Sequence, residues 1–179
     1  VTAAAEFEAK ARALLASVGG QVTLAWLALL GFIGATGTFH EGEGGLPSPF
    51  VFLAHAAART SRIRLGTGIV TLPLELPIRV AEDAVVTDLM SNGRLEVGVG
   101  PGGNLTAFTA FGLDSNDRHK LFDSHLETLK TAWAGHELEG GDRLYPSSTG
   151  LVDRIWQATF TVSGARRAGA AGLLSLTRR

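Results

Sequence analysis

The stretch from Thr36 to Pro49, TGTFHEGEGGLPSP, places one imidazole and two carboxylates close together along the chain. His40, Glu41 and Glu43 have the side chains of metal ligands, of an acid/base pair or of a polar loop. Histidine has an unperturbed pKa near neutrality, so His40 could transfer a proton at physiological pH. The residue types by themselves allow all three interpretations.

The spacing of these side chains argues against a metal site. The pattern H-E-x-E lacks the second histidine of the H-E-x-x-H zinc motif, and neighbouring side chains in an extended segment point to opposite sides. The composition alone favours a polar loop, and the alternative is acid/base chemistry, for which His40 is the candidate catalytic residue. We predict no bound metal.

Two strand-like segments carry glycines that could bring a ligand close to the backbone. GTG lies at Gly66 to Gly68, and GVGPGG spans residues 98–103. Glycine inside a strand often marks the approach of a ligand or a distorted backbone. The second segment has neither the spacing nor the following helix of a dinucleotide fingerprint. A tight turn and a flat ring against the backbone are the remaining interpretations.

The composition indicates a globular domain with a small-molecule partner. With 179 residues, 45% of them hydrophobic, the chain can bury a core. Its 16 basic and 17 acidic residues leave a formal charge of -1, without an electrostatic footprint for nucleic acid or anionic lipid. The sequence has no cysteine, which excludes disulfides and cysteine nucleophiles. We expect a cytoplasmic protein.

One uncharged segment, residues 13–39, has the composition of a signal peptide or a membrane anchor. Its most apolar part, residues 22–35, is about 14 residues long, whereas a spanning helix needs roughly 20. Several glycines also interrupt this part. A buried helix followed by a buried strand is therefore the preferred interpretation, and a membrane-attached protein is the alternative.

Helical and strand-like patterns alternate from residue 48 onward. Ser48 and Pro49 are a cap and first-turn pair that predicts a helix to about Arg59. Apolar side chains at three-to-four spacing predict a second helix from Pro77 to a stop at Asn92 and its following glycine. Further patterns predict strands at 62–72, 94–100, 154–162 and 173–177, helices at 119–135 and 165–172, a long connection at 101–118 and a small hairpin within 136–146.

Repeated strand–helix units predict parallel strands with helices on the outside. A doubly wound sheet and a part of a (β/α) barrel both have this pattern. A fifth strand is a further candidate at Phe32–Phe39. A complete eight-stranded barrel takes about 250 residues, so the chain is too short to close one alone.

Several motifs together resemble the bacterial luciferase-like monooxygenase superfamily. The resemblance is carried by LGTG and SNGRLEVGVGPGG within residues 61–103, by AFTAFGLD, and more loosely by RIWQAT and AGAAG. It is good from Phe39 to Trp133, extends loosely to Ser175, and leaves residues 1–38 poorly matched. It implies an α/β fold of the (β/α) TIM-barrel type that is incomplete, with about five of eight βα units in a single domain, residues 1–179.

The resemblance implies an enzyme that uses reduced FMN and molecular oxygen on a small organic substrate. It further implies a homodimer and a flavin reductase as a partner. Thr67, Gly68 and Ile69 match the strand position at which the family often has a cis non-proline peptide under the isoalloxazine ring. The implied cofactor-binding residues are Thr67, Gly68, Ile69, Gly98, Gly100 and Gly102.

The sequence departs from the family pattern near its candidate catalytic residue. Many relatives have two adjacent histidines before the phenylalanine that matches Phe39, where this chain has Gly37 and Thr38. His40 is the remaining nearby imidazole. One account is a fragment or degenerate copy, which we favour; the other is a compact variant that completes its barrel with a second chain.

Three functions follow from these patterns. The leading hypothesis is an FMN-dependent luciferase-like monooxygenase, impaired if the chain is truncated. The first alternative is an inactive barrel fragment or dimerisation module, and the second is a deazaflavin-dependent oxidoreductase. Titration with each flavin distinguishes them.

Overall fold

The structure is a computed structural model that describes residues 48–147, 150–159 and 161–177. In chain order its helices and strands are α1 Pro49–Arg59, β1 Leu65–Thr71, α2 Pro77–Met90, β2 Leu95–Gly100, α3 Leu105–Ala110, α4 Arg118–Trp133, β3 Ile155–Thr159, α5 Val162–Ala170 and β4 Leu174–Thr177. The candidate strand at Phe32–Phe39, the apolar segment 13–39 and His40 lie outside the described residues. No helix within the described ranges is long and apolar enough to cross a membrane.

The four strands form one parallel sheet in the order β1-β2-β3-β4. Each strand therefore lies beside the one that precedes it in the chain, and a helix lies between every two. The predicted parallel sheet of strand–helix units is confirmed. Because the strands are parallel, their carboxyl ends all meet at one edge of the sheet.

The main hydrophobic core lies between one face of the sheet and the helices α1, α2 and α4. In β2, Leu95, Val97 and Val99 belong to this core, whereas the alternate residues Glu96 and Gly98 do not. Successive residues of a strand point to opposite faces, so Glu96 and Gly98 lie on the inner face, away from the helices. A fully buried leucine such as Leu95 contributes roughly 1.5–3 kcal/mol.

The turn between α2 and β2 explains part of the SNGR motif. Asn92 and Gly93 have φ angles of 57° and 75°, the left-handed conformation that ends many helices. Arg94 then donates hydrogen bonds to the carbonyl oxygens of Ile63 at 2.8 Å and Thr60 at 2.9 Å. Burial lowers the pKa of this guanidinium. Arg94 thus joins the end of α1 to the start of both strands.

A buried ion pair fastens α2 to the start of β3. Arg154 donates to both carboxylate oxygens of Asp88, each at 2.8 Å, and Asp88 is 2% exposed. The backbone amide of Leu95 donates to the same carboxylate at 3.1 Å. Two parallel hydrogen bonds give the geometry in which a buried pair offsets its loss of hydration.

Two predicted connections differ from the structure. Residues 101–118 contain the helix α3, capped by the Asn104 side chain, which accepts from the Thr106 amide at 3.2 Å. The sequence pattern missed this helix because it is short and buries only Ala107 and Phe108. The predicted hairpin within 136–146 is a tight turn, held by a 3.0 Å hydrogen bond from the Gly141 amide, without flanking strands.

Candidate functional site

The predicted cofactor residues lie on two neighbouring strands. Thr67 to Ile69 are in β1, Gly98 and Gly100 are in β2, and Gly102 follows β2 by two residues. Ile69, Gly100 and Gly102 thus lie toward the carboxyl edge of the sheet. In α/β barrels and open parallel sheets, ligands bind at this edge. The structure therefore brings the predicted residues together on neighbouring strands, three of them toward the ligand edge of the sheet, and their binding of a cofactor stays a prediction.

A β-bulge distorts β1 at the predicted residues. Thr67 pairs with Val97, and Val70 pairs with Val99, so three steps along β1 match two steps along β2. The extra residue lies at Gly68–Ile69. Bulges are common next to active sites, where they redirect a side chain or a backbone group.

The bulge takes the place of the cis peptide that the resemblance implied. Within the described ranges the cis peptide bond is Tyr145–Pro146, far along the chain from β1. The implied cis geometry at Thr67 to Ile69 is therefore not present. The position is still distorted, because the extra residue of the bulge breaks the regular pairing of β1 with β2.

The side chain of Thr67 stabilises this distortion. Its hydroxyl donates to the Gly98 carbonyl oxygen at 3.0 Å and accepts from the Gly98 amide at 2.8 Å. Thr67 is 2% exposed. The hydroxyl thus replaces regular backbone pairing between the strands, and its role in the structure is to hold the bulge.

Gly98 is glycine because the backbone of β1 occupies the position of a side chain. A Cβ atom at residue 98 would lie 2.6 Å from the Thr67 carbonyl oxygen and closer still to that of Gly68. The two carbonyl groups therefore project toward the inner face of β2. The close approach of β1 at the bulge explains why residue 98 is glycine. Contact between Gly98 and a flavin ring stays a prediction.

Gly100 and Gly102 also have close neighbours within the chain. A Cβ atom at residue 100 would lie 3.0 Å from Cγ2 of Ile69 and 3.2 Å from Cβ of Ala158. Gly102 has a φ angle of 84°, and a Cβ there would lie 2.6 Å from the Thr71 methyl group. Gly100 therefore packs against the side chains of Ile69 and Ala158, and Gly102 packs against those of Thr71 and Phe108.

The inner face carries a polar cluster that the sequence analysis missed. Glu96, which is 5% exposed, accepts hydrogen bonds from Arg64 and from the Trp156 indole nitrogen, the latter at 2.7 Å. Glu96 is the second residue of β2, so the cluster lies at the amino end of the sheet, opposite the candidate ligand end. The sequence signal for this cluster was the carboxylate of Glu96 within the otherwise uncharged run LEVGVG.

The histidines within the described residues form no acid/base set with the predicted site. His125 on α4 is half-buried, and its Nδ1 lies 3.0 Å from the Leu72 carbonyl oxygen, just past β1. His55 is exposed on α1. No group of three or more histidine, aspartate or glutamate residues in the described part of the chain could hold a metal ion.

A parallel sheet covered by helices on one face, with a distorted strand at its carboxyl end, is the geometry of a partial (β/α) barrel. The sequence profile of the luciferase-like monooxygenase family matches residues 23–178. The chain belongs to the luciferase-like monooxygenase family. Its fold is an incomplete TIM-type barrel, as the sequence analysis predicted.

Three proteins illustrate what the chain is similar to, and the last of them, at 17% identity, shows the fold alone. The oxygenase component of flavin-dependent trigonelline monooxygenase from Acinetobacter baylyi is 33% identical over 114 residues, 62% of this chain and 32% of the relative. Monooxygenase RslO1 from Streptomyces bottropensis superposes with a TM-score of 0.78 and 31% identity, over 97% of this chain and 54% of RslO1. The oxygenating constituent of 3,6-diketocamphane monooxygenase from Pseudomonas putida, in complex with FMN, superposes with a TM-score of 0.77 and 17% identity. The superposition covers 99% of this chain and 53% of that protein.

The chain spans about a quarter to two fifths of the length of the curated relatives that it matches. It spans about half of the two solved structures. The activity of a whole relative is therefore a proposal for this chain.

Proposed function

We propose that this chain binds reduced FMN at the carboxyl ends of β1 and β2 and takes part in the oxygenation of a small organic substrate. The observation that carries the proposal is the β1 bulge at Gly68–Ile69, with the carbonyl groups of Thr67 and Gly68 turned toward Gly98. A distorted strand at the ligand end of a flavin-dependent family fold favours a cofactor site.

The residues at this position fit a flat aromatic ring. Gly98 and Gly100 add no side chain of their own to the inner surface of β2, and Ile69, whose side chain lies against Gly100, offers an apolar contact that is 8% exposed. In the proposal, Ile69 packs against the ring, Gly100 and Gly102 keep the backbone close to it, and Thr67 holds the bulge in place. The flavin supplies the oxygen chemistry, while the protein orients it and excludes water.

His40 is the proposed acid/base residue, and it lies outside the described residues. Its imidazole could exchange a proton near neutral pH. The substrate is a small organic molecule, and a separate flavin reductase supplies the reduced cofactor. The assignment of a separate reductase rests on the name of the trigonelline monooxygenase relative, which is an oxygenase component.

A titration of the 179-residue chain with FMN, followed by flavin fluorescence and absorbance, tests the proposal. We expect saturable binding, and at least tenfold weaker binding for Ile69→Glu, because a charge would lie against the ring. Ala171→Glu, exposed at the end of α5, is the matched control and should bind FMN like the wild-type chain. No saturable binding by a folded wild-type chain overturns the proposal, and preferential binding of a deazaflavin favours the alternative reductase.

We further infer that two copies of the chain associate through α1 and α2. These helices border a groove of about 390 Å³. The groove exposes Val51 and Val86, which are 73% and 45% accessible. Arg79 and Asp83 also line it, so charges of both signs are available across a two-fold axis. Sedimentation velocity should show a dimer, and Val86→Glu should shift it toward the monomer; a monomeric wild-type chain overturns this inference.

A further inference from the structure

A buried carboxylate lies on the inner face of the sheet, two residues from the proposed flavin site. Glu96 is 5% exposed and precedes Gly98 by two positions in β2, so both lie on the same face. Its carboxylate oxygens have different partners: Oε1 accepts from Arg64, and Oε2 accepts from the Trp156 indole nitrogen at 2.7 Å. Burial of a charged group is costly unless the group is paired and hydrogen-bonded, so both partners stabilise Glu96 in this position.

Trp156 is the cross-strand neighbour of Gly98, but its side chain reaches toward Glu96. The register of β2 and β3 pairs Gly98 with Trp156. Trp156 points to the inner face, because its neighbour Ile155 belongs to the core on the helix side. From this position the indole nitrogen bonds to Glu96, which lies two residues nearer the amino end of β2. The indole therefore extends toward the amino end of the sheet, away from Gly100.

The indole leaves the surface at Gly98 and Gly100 clear in this orientation. At residue 98, the three atoms nearest to an added Cβ belong to the backbone of β1. At residue 100, the three nearest atoms belong to the side chains of Ile69 and Ala158. None of these atoms belongs to Trp156, although its backbone is paired with that of Gly98.

A tryptophan on a strand has more than one favourable side-chain orientation. Rotamers with χ1 near 180° and near −60° are both common in strands. A different χ1 would turn the Trp156 indole away from Glu96 and over the neighbouring glycines of β2. The indole nitrogen is a donor, and a hydrogen bond to an ionised carboxylate is roughly twice as strong as one between neutral groups. The bond to Glu96 therefore selects the orientation that points to the amino end of the sheet.

We propose that Glu96 is a positioning residue for the flavin site. Its carboxylate holds the Trp156 indole toward the amino end and keeps the surface at Gly98 and Gly100 open for the ring. The identity of the ring rests on the proposed function, whereas the position of the indole rests on the hydrogen bond to Glu96. Once the indole is released, the surface is open in only a fraction of the molecules, and the apparent affinity for FMN falls in proportion to that fraction.

The position of the indole is tested first, without any cofactor. Glu96→Leu replaces the acceptor with an apolar side chain that suits a buried position, and Arg64, whose side chain is 42% exposed, can turn to solvent. In nuclear Overhauser spectra of the wild-type chain, the indole protons of Trp156, assigned with Trp156→Phe, should show no contact with the Ile69 methyl groups. In Glu96→Leu they should show that contact. The contact in the wild-type chain, or its absence in folded Glu96→Leu, overturns the proposal.

Titration with FMN then measures what the position of the indole contributes to binding. Glu96→Leu should bind roughly tenfold more weakly than wild type, the loss expected if the surface is open in about a tenth of the molecules. Glu96→Gln keeps an acceptor for the indole and should stay within about threefold of wild type. The double variant of Glu96→Leu and Trp156→Ala lacks the indole and should recover most of the lost affinity. An unchanged affinity in Glu96→Leu, or no recovery in the folded double variant, overturns the proposal.

Arg64→Gln is the matched control, because it breaks the ion pair but leaves the indole its acceptor. This variant should bind FMN within about threefold of wild type even where it loses stability toward urea. A loss of affinity as large as that of Glu96→Leu would show a general effect of stability and overturn the proposal. If Glu96→Leu does not fold, Trp156→Phe takes its place, since it releases the ring while Glu96 keeps Arg64, and its ring protons should contact Ile69. A wild-type chain that binds no FMN argues against the proposed function, and the cofactor-free spectra still decide the position of the indole.

Discussion

Thr67 and Gly98 are joined by two reciprocal hydrogen bonds, in which one hydroxyl group both donates to and accepts from the same residue on the neighbouring strand. This arrangement occurs at the point where β1 contains an extra residue. A regular strand would satisfy Gly98 through the backbone alone. The hydroxyl of Thr67 therefore supplies both hydrogen bonds to Gly98 at the bulge, at the position where we propose that the cofactor binds.

Two substitutions of Thr67 distinguish the contribution of its hydroxyl group to stability from that of its side-chain shape. Thr67→Val keeps the branched side chain but leaves the buried amide and carbonyl of Gly98 without that partner, which should lower the free energy of unfolding by about 1–3 kcal/mol. Thr67→Ser keeps the hydroxyl and should lose less. Urea denaturation of both variants measures the difference; equal losses would mean that the hydrogen bonds contribute nothing.

Gly98 should tolerate no side chain, in contrast with a nearby glycine. Gly98→Ala places a methyl group against the carbonyl oxygens of Thr67 and Gly68, which belong to the backbone and cannot rotate away. The unfolding free energy should fall by about 1–3 kcal/mol, since the strand must shift. Gly103→Ala, which has nothing within 4 Å of its new methyl group, is the matched control and should remain within about 0.5 kcal/mol of wild type. Similar stabilities of the two variants would contradict the observed backbone approach.

The long elements could be predicted from sequence because their signals are local. The helix predicted from Pro49 to Arg59 is observed with the same ends, and the strand predicted at 94–100 is observed as Leu95–Gly100. Pro49 and Asn92 with its following glycine mark helix ends through their own backbone preferences, whereas the predicted capping hydrogen bond of the Ser48 side chain is not present. The helix α3 was missed because six residues with two buried side chains give no clear periodicity.

The arrangement of the candidate site depends on contacts between distant residues, and a single sequence does not show them. The glycines of GTG and GVGPGG indicated a close approach, and at Gly98 the approaching group is the backbone of β1 itself. The pairs Asp88–Arg154 and Glu96–Trp156 join residues separated by 66 and 60 positions. No spacing rule predicts such pairs, because the fold alone brings them together.

Breaking the buried pair of Asp88 and Arg154 should be costly. Asp88→Asn removes the negative charge that faces the guanidinium of Arg154, a side chain that is only 16% exposed. Because the buried positive charge then lacks its partner, the unfolding free energy should fall by about 3–5 kcal/mol. Glu82→Gln is the control, because Glu82 pairs with Arg79 at the surface and such pairs contribute about 1 kcal/mol or less. Chemical denaturation at fixed salt gives both values. A loss no larger than that of the surface pair would mean that the buried pair has little role in holding β3 to α2.

Trp156 and Glu96 should be energetically coupled across the inner face. Trp156→Phe removes the indole donor that lies 2.7 Å from a buried carboxylate oxygen, and hydrogen bonds to charged groups contribute about 1.5–3 kcal/mol. Glu96→Gln weakens the same bond and also the ion pair with Arg64. The double variant should therefore lose less stability than the sum of the single losses, with a coupling energy of about 1 kcal/mol. Urea unfolding of the four proteins gives this energy, and strictly additive losses would show that the indole hydrogen bond does not connect β2 to β3.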